Sequence, residues 1–258
     1  MTPTTTWVEP PQVECDYPEA DGEPMAESDF QRKPLTYAVE ALDLHFQHRP
    51  DVYVSGNMFI YYEVGQPGAV VAPDVFVVFG VSKHDRRTFK VWEEGKGPDV
   101  VIEITSRQTH REDENRKPTT YRCLKVQEYF QYDPTGDYLR PALKGRRLTS
   151  WGGYQAIAAR PLPGGNLFLE SQVLGLHLRL EAGRLRLFDP TKNTYLLTYQ
   201  EEARARQEAE TRARAALLTH QEEARARQEA ETRARAAEAR LRELEAELQR
   251  LRGPAEEM

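Results

Sequence analysis

The spacing of apolar residues changes twice along this chain, and the changes divide it into three parts. In residues 36–48, TYAVEALDLHFQH, Ala38, Leu42, His45 and Phe46 fall on one side at helical spacing, which predicts an amphipathic helix beginning just after Pro34. From Asp51 onward the period shortens. VYVSG, MFIYYEV, VVAPDVFVVFG and PDVVIEITS are β-branched or aromatic runs bounded by Gly or Pro, which predicts strands, and VFVVF and VVIEI are apolar enough to be central ones. A charged segment follows Ser106 as far as Lys117, and TTYRCLKVQEYFQYDP then offers Tyr121, Leu124, Tyr129 and Phe130 to a helix and a following strand. Up to Tyr199 the chain reads as short strands joined by Gly- and Pro-rich turns, as in RPLPGGNLFL and LRLEAGRLRLFDP. The expected fold class is α+β: over residues 17–199, one mixed β-sheet flanked by helices.

Residues 200–252 differ in kind. QEEARARQEAETRARA occurs at 200–215 and again at 221–236, an offset of three heptads. Free of Gly and Pro and rich in Ala, Glu and Arg, the segment predicts a long C-terminal α-helix with many opposite charges at i to i+4. A seam through Ala230, Ala234, Ala237, Leu241, Leu244, Leu248 and Leu251 alternates steps of four and three, as a coiled coil requires. Traced backward it meets Arg227, Glu223 and His220, so the stripe is firm only towards the C-terminus. The expected role is self-association as a homodimer; the alternative is a solvated single helix.

Charge follows the same division. The formal net charge is -6, but residues 1–30 hold eight acids and no Lys or Arg, and residues 200–252 hold twelve Glu and twelve Arg. Residues 31–199 keep 23 basic and 19 acidic side chains. The acidic total therefore does not argue against a nucleic-acid partner. Residues 1–16, acidic and Pro-rich, are expected to be poorly ordered, and 253–258 form a short tail. No apolar run approaches the roughly 20 residues of a membrane span, and the first residues lack the basic start and apolar stretch of a secretory signal. Two cysteines, Cys15 and Cys123, are too few for a disulfide framework or a cysteine zinc site, which points to free thiols and a reducing, cytoplasmic setting.

Two of the expected strands carry acids among apolar neighbours: Asp74 in VVAPDVFVVFG and Glu103 in PDVVIEITS. A buried carboxylate is costly unless hydrogen-bonded, paired or bound to a cation. If these strands are neighbours, both carboxylates converge at one end of the sheet. Two hard oxygen ligands, completed by waters and a phosphate oxygen, suit Mg²⁺ or Mn²⁺, and such an ion activates water and stabilises charge on a phosphodiester. Lys117 is the candidate cation, placed to orient or deprotonate the attacking water or to neutralise developing charge. Ordinary readings stand beside these: a turn residue for Asp74, an ion-paired core acid for Glu103, a solvated charge for Lys117. Asp99 after Pro98 reads as a turn or strand-start residue. His45 and His48 lack a third ligand. Tyr61, Tyr62, Tyr129 and Tyr132 read as core, and Arg107, Arg111, Arg116, Arg122 and Lys125 read as a wet face before phosphate contacts.

The blocks YPEADGEPMAE, APDVFVVFG, WEEGKGPDVVIEITSRQT, then Lys117, Tyr121 and VQEYFQYDPTGDYL, with LGLHLRLEAGRLRLFDP and the repetitive tail, resemble the "putative restriction endonuclease" family of the PD-(D/E)xK nuclease superfamily. The resemblance covers roughly residues 17–199 plus the tail. It implies a restriction-endonuclease-like fold and a metal-dependent endonuclease acting on DNA, with Asp74 and Glu103 as metal ligands and catalytic groups. The superfamily's lysine two residues later is absent, since Thr105 stands there. In this family the lysine lies on the following helix, at the position of Lys117. A superfamily glutamate on the first helix corresponds to Glu40, a further candidate metal ligand. Pro118 departs from the pattern: inside a helix it would misdirect Lys117, whereas a helix starting there leaves Lys117 at the N-cap. The missing lysine and Pro118 motivate the alternative, a catalytically inactive nuclease-fold protein that binds or scaffolds through its coiled coil.

Overall fold

The computed structural model describes residues 15–19 and 28–251; residues 1–14 of the acidic arm and the tail from 252 lie outside the described residues. The chain divides into two compact units, 1–199 and 200–258. In the first, the elements run α1 (Asp29–His45), β1 (Val52–Ser55), β2 (Ile60–Tyr61), β3 (Val70–Val71), β4 (Val75–Phe79), β5 (Phe89–Lys90), α2 (Val91–Glu94) and β6 (Val100–Ile104). They continue with α3 (His110–Asn115), α4 (Lys117–Cys123), β7 (Glu128–Tyr132), β8 (Leu143–Leu148), β9 (Tyr154–Ala156), β10 (Arg160–Pro161), β11 (Leu167–Ser171), β12 (Leu176–Glu181), β13 (Arg184–Asp189) and β14 (Thr194–Tyr195).

The first helix begins earlier than its apolar spacing predicts, and Pro34 lies inside it. One proline near a helix start removes a single backbone bond, and the first turn is held by other means. The Ser28 carbonyl accepts the N–H groups of Gln31 and Arg32, both at 3.0 Å. Asp29 pairs with Arg32 at 2.7 Å and Lys33 at 3.6 Å, placing an acid at the positive end of the helix dipole.

The expectation of one sheet is also corrected, because the strands among the described residues form three. The main sheet has the order β1-β4-β6-β7-β8-β9, with β4 and β6 inside it as their apolar sequences require. Only its β6–β7 pair is parallel. Strands β10 to β14 make a separate antiparallel sheet, and β3-β2-β5 a small third one. The late strands separate because they alternate: β12 buries Leu176 and Leu178 while the residues between stay partly exposed. Such one-sided strands build a layer with one wet face.

Two apolar clusters cover the two faces of the main sheet. On one face Val75, Val77, Val100, Ile102, Ile104 and Phe130 meet Ala38, Ala41 and Leu42 of α1 and the leucines of the second sheet. On the other, Phe76, Val78, Val101 and Tyr129 pack with Tyr121, Ile60 and Phe89. Strand alternation puts Asp74, Glu103 and Gln131 on this second face. Asp99, 4% exposed, is a structural clamp: it accepts the Phe79 N–H, the Gln127 amide and Lys96. Tyr61, Tyr129 and Tyr132 are core residues.

The second unit contains all but the first residue of α5 (Tyr199–Leu251), a helix of 53 residues, roughly 80 Å at 1.5 Å per residue. Ion pairs at i to i+4 line it, as between Glu208 and Arg212 at 3.2 Å, each adding little because both partners are solvated. Leu241, Leu244 and Leu248 are exposed. Among the described residues no helix is long and apolar enough to cross a membrane.

Candidate active site

Strand register creates the site. Antiparallel β4 and β6 pair Val75 with Ile102 and Val77 with Val100, so one further step along the ladder sets Asp74 opposite Glu103. The two are locked by reciprocal bonds: the Ile104 N–H donates to Asp74 Oδ2 at 2.6 Å, and the Asp74 N–H to Glu103 Oε2 at 3.4 Å. Gly56 packs against the start of β4. A Cβ there would lie 2.1 Å from the Asp74 carbonyl oxygen and 3.0 Å from a Val39 methyl, so only glycine lets α1 and the start of β4 close together.

Lys117 joins the pair. Its Nζ lies 2.9 Å from Glu103 Oε2 and 2.9 Å from Asp113 Oδ1. Pro118 does not misdirect it: α4 starts at Lys117, with Arg116 as the N-cap and Pro118 in the first turn, where a missing N–H is harmless. Lys117 is thus the first helical residue and not the N-cap. The same proline separates α3 from α4, and Tyr129 hydroxyl donates to the Asp113 carbonyl at 2.7 Å. The Tyr121 hydroxyl donates to Glu103 Oε1.

Asp113 and Tyr121 are members of the site that sequence reasoning missed. The available signal was their spacing: 113, 117 and 121 are successive i to i+4 steps, although Asp113 ends up on α3 and the other two on α4. Gln131 pairs with Glu103 across β6 and β7. It is 1% exposed, and its amide has no hydrogen-bond partner among the described residues. Glu40 is not brought into this cluster. It is half-buried on α1, whose apolar side covers the opposite face of the sheet.

The electrostatics single this cluster out. Other buried acids are matched by donors: Glu128 by Arg147, Ser171 and the Gln172 N–H, and Asp133 by Thr135 and four backbone N–H groups. Asp74, Glu103 and Asp113 instead share one lysine. Burial, and then the Glu103 charge, push the Asp74 carboxyl well above the ordinary carboxylate range, against the pull of Lys117 and the Ile104 N–H. Burial pulls the Lys117 ammonium down, but Glu103, Asp113 and Asp74 together outweigh it and the net shift is upward. Lys117 is therefore held as a cation.

A testable consequence concerns stability. An acid whose folded-state pKa is raised favours the fold below its unfolded pKa, near 3.9, and that contribution is lost as pH rises through the folded value. Asp74→Asn keeps an acceptor for the Ile104 N–H and removes the charge. It is expected to raise the melting temperature of metal-free protein at neutral pH by roughly 2–4 °C, about 1 kcal/mol. The gain should shrink as pH falls towards 4, and thermal melts at several pH values check it.

The donor set fits a hard divalent cation: only oxygens, in a buried cluster with excess negative charge. Among the described residues no three His, Cys, Asp or Glu side chains form a complete metal cage. Two carboxylates with waters are the ordinary provision for Mg²⁺, which dehydrates reluctantly.

A mixed sheet whose paired strands present two carboxylates, met by a lysine from the next helix, is the site expected of a restriction-endonuclease-like protein. The family model described as "Putative restriction endonuclease" (Uma2) matches residues 5–182, and the chain belongs to that family. No curated protein matches it. Among solved structures it is similar to a "putative nuclease belonging to DUF820 from Anabaena variabilis ATCC 29413", with 14% identity, 56% of this chain and 80% of that chain covered, and a TM-score of 0.38.

Proposed function

We propose that this protein is a metal-dependent endonuclease that hydrolyses phosphodiester bonds in DNA. The observation that carries the reading is the charge imbalance of Asp74, Glu103 and Asp113 around a single lysine, in a chain that belongs to a nuclease family. Asp74 and Glu103 would hold Mg²⁺ or Mn²⁺, which supplies an activated water and stabilises charge on the phosphate.

The protein's own groups have distinct tasks. Tyr121 fixes the Glu103 carboxylate by donating to Oε1, leaving Oε2 towards Lys117. An ammonium has three N–H donors, and from its position 2.9 Å from both Glu103 and Asp113 the Lys117 ammonium would offer one to the attacking water or a phosphoryl oxygen. Being held protonated, Lys117 orients and neutralises and does not take a proton. This role is compatible with Pro118, which lies in the first turn of α4.

Relaxation of supercoiled plasmid by the full chain tests the function. Cleavage is expected with Mg²⁺ or Mn²⁺, none with a chelator, and none from Asp74→Ala; undiminished cleavage by that variant contradicts the assignment.

We also propose a homodimer formed through α5, on the exposed stripe of Leu241, Leu244 and Leu248. Light scattering is expected to give twice the chain mass at micromolar concentration and a monomer for Leu244→Glu. A monomeric parent chain would contradict it. The free thiols of Cys15 and Cys123 accord with action in a reducing, cytoplasmic setting.

A further inference from the structure

A cleft of about 290 Å³ lies between the first turn of α1, the segment after β6 and the turn after β7. Its size suits one small ligand unit and not a long chain. Thr105 lines it, two residues beyond Glu103 and so on the same strand face, about 7 Å further along. Thr105 is 1% exposed, and its N–H continues the ladder by donating to the Tyr132 carbonyl at 2.7 Å. Its hydroxyl has no hydrogen-bond partner among the described residues, an expensive arrangement for a buried polar group.

Two exposed side chains at the same cleft have complementary chemistry. Phe30 is 63% exposed and offers a bare aromatic face. Arg107 is exposed and no carboxylate neutralises it among the described residues, whereas Arg86, Arg147 and Arg160 each hold an acid. The Arg107 segment is ordered: the Ser106 hydroxyl accepts the N–H groups of Gln108 and Thr109, both at 3.2 Å, and the Thr109 hydroxyl accepts that of Ser106 at 3.1 Å. Tyr138, which also lines the cleft, already has a ring face covered by His110 at 5.1 Å. Phe30 therefore supplies the free stacking surface.

We propose that this cleft is a subsite for one unpaired nucleotide next to the scissile phosphate, its phosphate on Arg107 and the Thr105 hydroxyl and its base stacked on Phe30. The proposal rests on the nuclease reading and narrows its substrate to a strand with an unpaired base at that position. Aromatic stacking tolerates any base and contributes about 1–3 kcal/mol, while an arginine on a phosphate makes binding salt-dependent.

Fluorescence anisotropy of a labelled 12-nucleotide single-stranded DNA, with the full chain in chelator so that nothing is cleaved, tests it. Phe30→Ala is expected to weaken binding at least 5-fold, and Phe30→Tyr to restore it. Arg107→Ala is expected to weaken binding and to reduce the slope of log affinity against log salt by about 0.7, whereas Arg122→Ala, on α4, changes neither. Both side chains are exposed, and unchanged melting temperatures show that the variants fold. Equal binding by parent, Phe30→Ala and Arg107→Ala, or no binding by the parent, overturns the subsite. Metal-dependent plasmid cleavage measured in parallel keeps the two ideas apart: cleavage without an effect of these variants on binding sinks the subsite alone. Weakened binding by both variants in a protein that never cleaves supports the subsite and sinks the nuclease.

Discussion

Lys117→Met is expected to lower the melting temperature of the metal-free protein by roughly 10 °C and to abolish cleavage. The side chain is nearly buried, and Glu103 and Asp113 beside it are fully so. Removing one member of such a group leaves uncompensated charge, a loss of about 3–5 kcal/mol, and each kcal/mol moves the melting point of a domain this size by roughly 2–4 °C. The deficit should depend on pH with a definite sign. Without the ammonium, nothing from Lys117 offsets the burial and the Glu103 charge that raise the Asp74 carboxyl. A raised folded-state pKa favours the fold at low pH, and that contribution disappears as pH rises through it. The variant should therefore be closest to the parent near pH 5 and furthest from it above pH 7. Millimolar Mn²⁺ is expected to restore part of the loss, because a ligand present at a hundred times its Kd stabilises by about 2.7 kcal/mol. Thermal melts across pH, with and without Mn²⁺, check each part. A variant as stable as its parent at pH 8 contradicts the charge assignment.

Glu103→Gln separates chemistry from folding. The amide keeps an acceptor for Tyr121 and loses the charge directed at Lys117 and at any cation. Cleavage is expected to fall about 10³-fold or more, since several kcal/mol of charge stabilisation go with the ion, while the fold persists. Glu128→Gln is the matched control. Glu128 is just as buried, but its partners Arg147 and Ser171 tie β7 to β8 and to the second sheet. That variant should lose stability and keep its rate per folded molecule. Plasmid-cleavage rates normalised to the folded fraction distinguish the two acids; equal losses of rate would mean that Glu103 is merely another structural carboxylate.

The same contrast explains what could be read from the chain alone. Asp74 and Glu103 stand out because an acid in an otherwise apolar strand needs a reason, and the β4–β6 ladder places them as two central neighbouring strands require. Lys117 was reached through the missing cation and the family pattern, but its direction was not, since Pro118 allows two helix starts. Asp113 was missed because it sits in HREDENRK, where a charge run usually means a solvated face. Its burial depends on α3 lying over β7, a tertiary fact that no local pattern encodes. The start of α1 was misplaced because proline was taken as a boundary, while Ser28 and Asp29 hold the first turn upstream of it. The division into three sheets was hidden for another reason. Short alternating strands joined by Gly-rich turns are compatible with either extending a sheet or starting a new one, and the choice is made by which apolar face remains uncovered.

Calorimetric titration of Mn²⁺ into the full-length protein, in two buffers of different ionisation enthalpy, addresses the carboxylate cluster itself. The expected result is one ion per chain, bound in competition with protons, since burial and the Glu103 charge raise the Asp74 carboxyl. Affinity should increase with pH and disappear in Glu103→Gln. Binding that is unchanged in Glu103→Gln, or an absence of measurable heat from the parent protein at neutral pH, would mean that Asp74, Glu103 and Lys117 do not form a metal centre.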